Sequence, residues 1–393
     1  MKSILFIVGV LWLFAAEILR VYFIMPFPGS QQMNSIDLAY FISTHIVLLR
    51  LIGYALISYP ILEYFRGKAW FPKLIVVLLG IAYIAIFYLF NYRFQADKMF
   101  YKARHQWFAN ANNDTTNKNS LVIGVVINGI AKAYPLQIIG YHHQIADSIG
   151  GEPILVTYCT VCRTGRVYSP EVNGKKETFR LVGMDHFNAM FEDSTTKSWW
   201  RQATGEAIAG PLKGKQLKEL PCNQLTLAAW LMEYPNSLIL QPDEKFKKQY
   251  AELKNYDKGT VKSKLEKRDA ASWKPKSWVV GIIQHNKAKA YDWNTLTQQQ
   301  VLNDEIGNEP IAIVLESDTA SFHAFHTDFG NNVLHFQKYA NNLLIDTTTH
   351  TIWNMAGECV EGPSKGARLQ PVQCYQEFWH SWKTFHPNTL VYL

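Results

Sequence analysis

The chain changes character near residue 91. Before it, apolar residues run on almost without interruption; after it, they alternate with polar ones in the short periods of a soluble protein. Three apolar runs fill the first part: Ile4 to Met25, a stretch within Ile36 to Phe65, and one within Phe71 to Phe90. At about 1.5 Å rise per residue each can cross a hydrocarbon layer roughly 30 Å thick, so three transmembrane helices are expected. No small-x-small cleavage site follows the first run, which favours an anchor over a signal peptide. Glu17 and Arg20 lie in the first run, His45 and Arg50 in the second. Charges at membrane depth are costly, so these should face the bundle or snorkel to its edge, with Glu17–Arg50 as a pair joining two helices. Three helices are few for a transporter, which makes an ion path the lesser reading.

Basic residues orient the bundle. Arg66, Lys68 and Lys73 lie between the second and third runs, whereas the loop after the first run holds only Asp37. Arg93, Lys98, Lys102 and Arg104 pull the other way, but the short loop carries more weight. The expectation is a multi-pass protein of the cell (inner) membrane, with the lipid bilayer as its partner and the soluble module on the extracytoplasmic side.

The soluble part repeats itself. AKAYPLQIIGYHHQIADSIGGEPI begins at Ala131 and AKAYDWNTLTQQQVLNDEIGNEPI at Ala288; one constant offset carries 122–154 onto 279–311 without a gap. A second block, 195–240, matches 348–393 after one residue is dropped, so that Gly210-Pro211, Cys222, Trp230 and Pro235-Asn236 meet Gly362-Pro363, Cys374, Trp382 and Pro387-Asn388. Matches of this length predict a tandem duplication. Each copy reads as a hairpin (VIGVVINGIAKAYP), an amphipathic helix through Leu136–Ile149 stopped by Gly150-Gly151, a buried strand Ile154–Tyr158, a hairpin turning at Asn173-Gly174, and a last helix ending near Pro235 or Pro387. The fold expected is three N-terminal transmembrane α-helices followed by an α+β module of two tandem repeats with mainly antiparallel sheet. Its parts are an anchor (1–91), a linker (92–119), a first repeat (120–242), a charged connection (243–277) and a second repeat (278–393). The connection, rich in Lys, Glu and Asp, reads as a surface excursion.

Composition adds little. A net charge of +7 is mild, and no basic block interleaved with aromatics suggests a nucleic-acid surface. Five cysteines, an odd number, argue against a complete disulfide framework.

Within a duplication, what both copies keep suits architecture, and what one copy alone holds is a candidate for chemistry. The copies share Gly, Pro, Trp, Ala-Lys-Ala-Tyr and an Asp (Asp147 and Asp304), and Asp147 is expected to bond backbone near the helix end. They do not share reactive types: His142 and His143 face Gln299 and Gln300, Cys159 faces Glu316, and Cys162 faces Thr319. His186 lies further on in the first copy. Imidazole and thiolate are natural ligands of zinc and copper, so His142, Cys159, Cys162 and His186 are the candidate metal ligands, with His143 secondary. Met184 and Met190 would favour copper(I). The absence of a second Cys-x-x-Cys excludes a zinc ribbon, and Arg163 after Cys162 excludes covalent c-type haem. A hairpin, not a helix, follows the pair, unlike a thioredoxin-type redox site. The alternative is a Cys159–Cys162 disulfide or two buried thiols. Cys222 and Cys374 read as small buried residues, while His323 and His326, three apart, would point to opposite faces of a strand and so not share a metal.

The stretches 131–165, 195–214 and 385–393 resemble the DUF3179 domain family, a domain of unknown function, from about residue 120 to the end. The family pattern is similar to W-H-E-I-V-N-D followed by T-Y-C-P-L-C-G-S; His142, Asp147, Cys159 and Cys162 fall on its His, Asp and two Cys. His143, Ala146 and Arg163 depart from it. The resemblance implies the duplicated fold and no activity. The function expected is an integral membrane protein whose module carries a metal or thiol site in its first repeat. The alternative is a non-catalytic binding or assembly module with structural cysteines. Substrate, reaction and any protein or small-molecule partner are not legible.

Overall fold

The computed structural model describes residues 1–392. The chain forms two compact units: Met1–Tyr101 with Glu177–Arg201 and Glu206–Gln216, and Lys102–Lys176 with Gln202–Gly205 and Leu217–Leu393.

In the first unit the helices Lys2–Tyr22, Ile46–Arg66 and Trp70–Arg93 are long and apolar enough to cross a membrane. They leave Leu11, Leu51, Leu62, Ile81 and Ile84 exposed, a surface that suits lipid better than water. The first two approach closely: a Cβ on Gly9 would lie 2.5 Å from Ile57, and one on Gly53 would lie 2.5 Å from Leu13. Arg50 grips the Glu17 carboxylate with two hydrogen bonds, 2.6 and 2.8 Å, as its position in the sequence suggested. Asn91 and Tyr83 of the third helix also donate to Glu17, so one carboxylate ties three helices together. Burying an ion costs several kcal/mol unless its lone pairs are satisfied, and here four donors do so.

The same unit holds an antiparallel sheet in the order Ala207–Ala209, Trp199–Arg201, Asn188–Asp193, Phe179–Asp185. Its Val182, Met190, Trp199 and Ile208 pack against Phe23, Ile24, Ala39 and Ile42 from the segment after the first helix. Met184 N donates to Ile24 O (2.7 Å), and a Cβ on Gly183 would lie 2.2 Å from that oxygen. Only glycine allows the two backbones to touch there.

In the second unit two series of elements follow one order. The first has the hairpin Leu121–Ile127/Ile130–Pro135, helix Leu136–His142, and strands Gln144–Ile149, Glu152–Cys159 and Thr164–Tyr168. The second has Trp278–Gln284/Lys287–Asp292, helix Trp293–Gln299, and strands Val301–Ile306, Glu309–Leu315 and Phe322–His326. A returning strand (Asn223–Thr226; Cys374–Phe378) pairs antiparallel with each hairpin, and a short helix follows it (Leu227–Glu233; Trp379–Phe385). Trp230 and Trp382 then lie flat on Gly124 and Gly281, where an added Cβ would stand 2.3 and 2.2 Å from the indole. Asn128-Gly129, both at positive φ, turn the first hairpin as the sequence pattern requires.

Three expectations need correction. The helix expected through Leu136–Ile149 ends at His142; His143 takes φ 61°, and Gln144–Ile149 is a strand whose partner is Glu152–Cys159. Gly150-Gly151 is therefore the turn of a hairpin, not a helix stop. Ile145 and Ile149 are buried on either side of the more exposed Ala146–Ser148, an alternation too short to distinguish from a helical period. Asp147 accordingly lies on a strand, where its carboxylate accepts from Tyr134 Oη (2.7 Å) and Lys132 Nζ (2.8 Å) across the sheet, while its other oxygen accepts from Ser148 N. Asp304 meets Tyr291 and Lys289 in the same way, which explains the shared Lys-Ala-Tyr and Asp. The connection is not a surface excursion either: Phe246, Tyr250, Tyr256 and Val261 are buried.

Candidate functional site

Cys159 ends the strand Glu152–Cys159, and Cys162 lies in the turn that reverses the chain into Thr164–Tyr168. Arg163 takes φ 55° to close that turn. Both cysteines are fully buried and not joined in a disulfide, and they are hydrogen-bonded to each other. Burial first, and then the neighbouring Cys159, push the Cys162 thiol well above its ordinary range, so it stands protonated.

Residues distant in sequence close over this turn. Lys276 Nζ donates to Val161 O (2.6 Å) and lies 3.0 Å from His380 Nε2. Burial lowers the Lys276 pKa, and the two thiols partly offset it. His380 is pushed down to about 3 by burial and by Lys276, which leaves its imidazole neutral. Tyr256 Oη donates to Thr160 O, Thr160 Oγ1 to Glu266, and Phe378 N to Cys162 O.

The histidines before the strand are placed separately. His142, buried at the helix end, has its Nε2 2.7 Å from Tyr250 Oη and is packed among Tyr141, Phe246 and Tyr250. His143 Nδ1 lies 3.1 Å from Tyr141 O, and burial pushes its pKa down to about 4. His186 belongs to the other unit, where Nδ1 is 2.6 Å from Asp185, itself held by Arg201.

Among the described residues, three potential ligand side chains converge within 4.8 Å at two places, Glu233/Glu316/His323 and Glu309/His326/Asp328. None of the ligands expected from the sequence belongs to either. His323 and His326 fall in separate groups, as strand alternation demands. The second group is the more open, with Asp328 exposed. The first is nearly dry: Glu316 and His323 are buried, and the Glu233 side chain is 16% exposed.

The first group is assembled from three elements. Glu233 ends the helix Leu227–Glu233, Glu316 follows the strand Glu309–Leu315, and His323 lies on the returning strand Phe322–His326. The tight turn between those strands, closed by Thr319 N to Glu316 O and Glu316 N to Ser321 O, brings Glu316 beside His323. His323 Nε2 lies 3.0 Å from Glu316 Oε1 and 3.4 Å from Glu233 Oε1. Asn342 Nδ2, 3.4 Å from Glu316 Oε2, steadies the carboxylate from outside. Burial raises the Glu233 pKa and Glu316 adds to it, against His323 and Arg368. A cavity of about 380 Å³, walled in part by Glu233, Glu316, Asn342, Asn354 and Arg368, opens beside the group.

Sequence reasoning passed over Glu233, Lys276, His380 and Tyr250. The aromatic residues set in the charged connection were a usable sign of burial; Glu233 and His380 carried none.

Searches among curated proteins and solved structures find no match. Residues 104–389, most of the chain, match the family described as Protein of unknown function (DUF3179), and the chain belongs to that family.

Proposed function

We propose that this is a membrane-anchored protein whose duplicated module lies outside the cytoplasm and binds a divalent transition-metal ion at Glu233, Glu316 and His323. The convergence of two carboxylates on one imidazole nitrogen in a nearly dry site carries this reading. Among the described residues neither carboxylate forms an ion pair with a lysine or arginine, and Arg368 and Lys338 act on them only from further off, so the two carboxylates share one imidazole as their close partner. A divalent ion supplies the missing charge, and one nitrogen with two oxygens suits zinc or a neighbouring first-row metal. Three protein ligands leave a coordination position free, and the cavity beside them gives a ligand room to reach it. Such an ion would act as a Lewis acid on what it binds.

Duplication is supported by the two series of elements in one order, and the site draws Glu233 from the first series and the other two ligands from the second. The anchor reading rests on the three apolar helices. Tyr64 Oη donates to Ser3 Oγ, so Lys2, Arg66 and Lys68 share one end of the bundle; the 179–209 sheet packs at the other, which the basic-end rule puts outside.

A second reading rests on the thiol pair. Two adjacent sulfurs suit a soft monovalent ion such as copper(I), and Lys276 would offset the charge of two thiolates.

One experiment separates the readings: metal content of the full chain, purified in detergent without chelator and supplied with zinc, then with copper(I) under reducing conditions. Near-stoichiometric zinc that is lost in Glu316→Gln and His323→Gln but kept in Cys159→Ser/Cys162→Ser supports the carboxylate–histidine site. Zinc unaffected by the first two changes overturns it, and copper lost only with the cysteines supports the second reading.

A further inference from the structure

We infer that the large cavity of the second unit binds an oxyanion, a carboxylate or a phosphate, between Arg163 and Arg268 on Trp278. The cavity encloses about 1030 Å³, and all three side chains line it. The Arg163 guanidinium lies 3.9 Å and that of Arg268 4.2 Å from the Trp278 ring centroid, so two like charges share one indole. Arg163 is 1% exposed. Its donors reach only neutral acceptors, Gln376 Oε1 at 2.6 Å and the carbonyls of Tyr256 and Asp257 at 3.3 and 3.4 Å. Arg268 Nη2 donates to Asn294 Oδ1 at 2.5 Å, another neutral acceptor.

Among the described residues no carboxylate forms an ion pair with either arginine. Arg268 Nε and Trp278 Nε1 are buried without a hydrogen-bond partner. The Arg268 pKa is lowered by burial and by Arg163, with Asp292 acting against them. Of the carboxylates around the cavity, Asp292 accepts from Thr295 N and Ser272 Oγ through one oxygen while its other oxygen is itself buried without a hydrogen-bond partner, Asp257 accepts from Leu121 N, and Asp318 accepts from Thr226 Oγ1 and Ser321. Two guanidiniums without an ion-paired carboxylate and two idle N–H donors are each costly, and an anion in the cavity that all three side chains line would offset that cost. Carboxylate and phosphate match the planar guanidinium fork.

The test is calorimetric titration of the full chain in detergent, pretreated with chelator so that no metal holds the anion. Inorganic phosphate and acetate are added separately at constant ionic strength set by chloride, and Arg268→Gln and Arg268→Lys are run beside the parent. Saturable binding of phosphate or acetate is expected, weakened about tenfold or more in Arg268→Gln, the effect of losing one charge-assisted hydrogen bond. Arg268→Lys, which keeps charge but not the fork, should fall between. Circular dichroism matching the parent shows that the variants fold. No saturable binding of either anion, or equal affinity in Arg268→Gln, overturns the inference; the anion that binds more tightly identifies the class.

Discussion

Glu377→Gln changes no volume and removes one buried charge. Arg166 Nη2 meets Glu377 Oε1 at 2.5 Å, with both side chains at most 2% exposed. The guanidinium also lies 3.4 Å from the Tyr375 ring centroid, and Glu377 Oε2 accepts from Ser381 Oγ at 3.0 Å. Burial works against the charge on Arg166, and Glu377, Tyr375 and Glu219 outweigh it, holding the guanidinium firmly protonated. Losing Glu377 therefore strands a cation that cannot neutralise itself. Breaking a buried pair costs about 3–5 kcal/mol, and Glu219, 3.4 Å from Arg166 Nε but a third exposed, offsets part of this. A loss of about 3 kcal/mol is expected. In a unit of this size that lowers the melting temperature by on the order of 10 °C, read by near-ultraviolet circular dichroism of the full chain in detergent. Arg166→Met/Glu377→Leu, which removes both charges, should lose far less, because burying a pair gains little over apolar packing. Ser381 also reaches the Cys162 thiol, so Glu377→Gln should speed thiol labelling in the folded protein. A single variant within about 1 kcal/mol of the parent, or a double variant as unstable as the single, would refute the charge argument.

Two further expectations concern acid and topology. His143 and His380 are held near pKa 4 and 3, against about 6.5 in an unfolded chain. Between pH 6.5 and 4 the unfolded chain binds protons that the folded chain refuses, so stability falls as pH drops, by about 1.4 kcal/mol per unit for each histidine. His143→Gln is sterically reasonable, since Gln300 holds the matching φ of 64° at the end of its own helix, and it should remove about one proton from that slope in urea titrations at pH 5 and 7. An unchanged slope would mean that His143 is already charged in the fold. A reporter active only outside the cytoplasm, fused after Leu393 and expressed in a bacterial host, should be active; activity only from a cytoplasmic reporter would reverse the orientation.

What was legible in the sequence follows from physical period and from charge in apolar surroundings. The three helices, the Asn-Gly turns and the Glu17–Arg50 pair each have one favourable arrangement, and the structure adopts them. The strand Gln144–Ile149 was misread because six residues carry too few periods to separate 2 from 3.6. Lys276 and His380 reach the cysteine turn through tertiary closure, with no local signal. Glu316 was visible as the residue facing Cys159, but its meaning depends on Glu233, some eighty residues away at the end of the helix Leu227–Glu233. Comparing the two series position by position located where they differ, yet Glu233, Glu316 and His323 are drawn from both.

The most direct test of the metal assignment is the X-ray absorption spectrum of the zinc-loaded full chain at the zinc edge. Glu233, Glu316 and His323 require a first shell of nitrogen and oxygen alone, at about 2.0–2.2 Å, with imidazole scattering from a single histidine. A sulfur shell near 2.3 Å would place the ion on Cys159 and Cys162 instead and contradict the assignment.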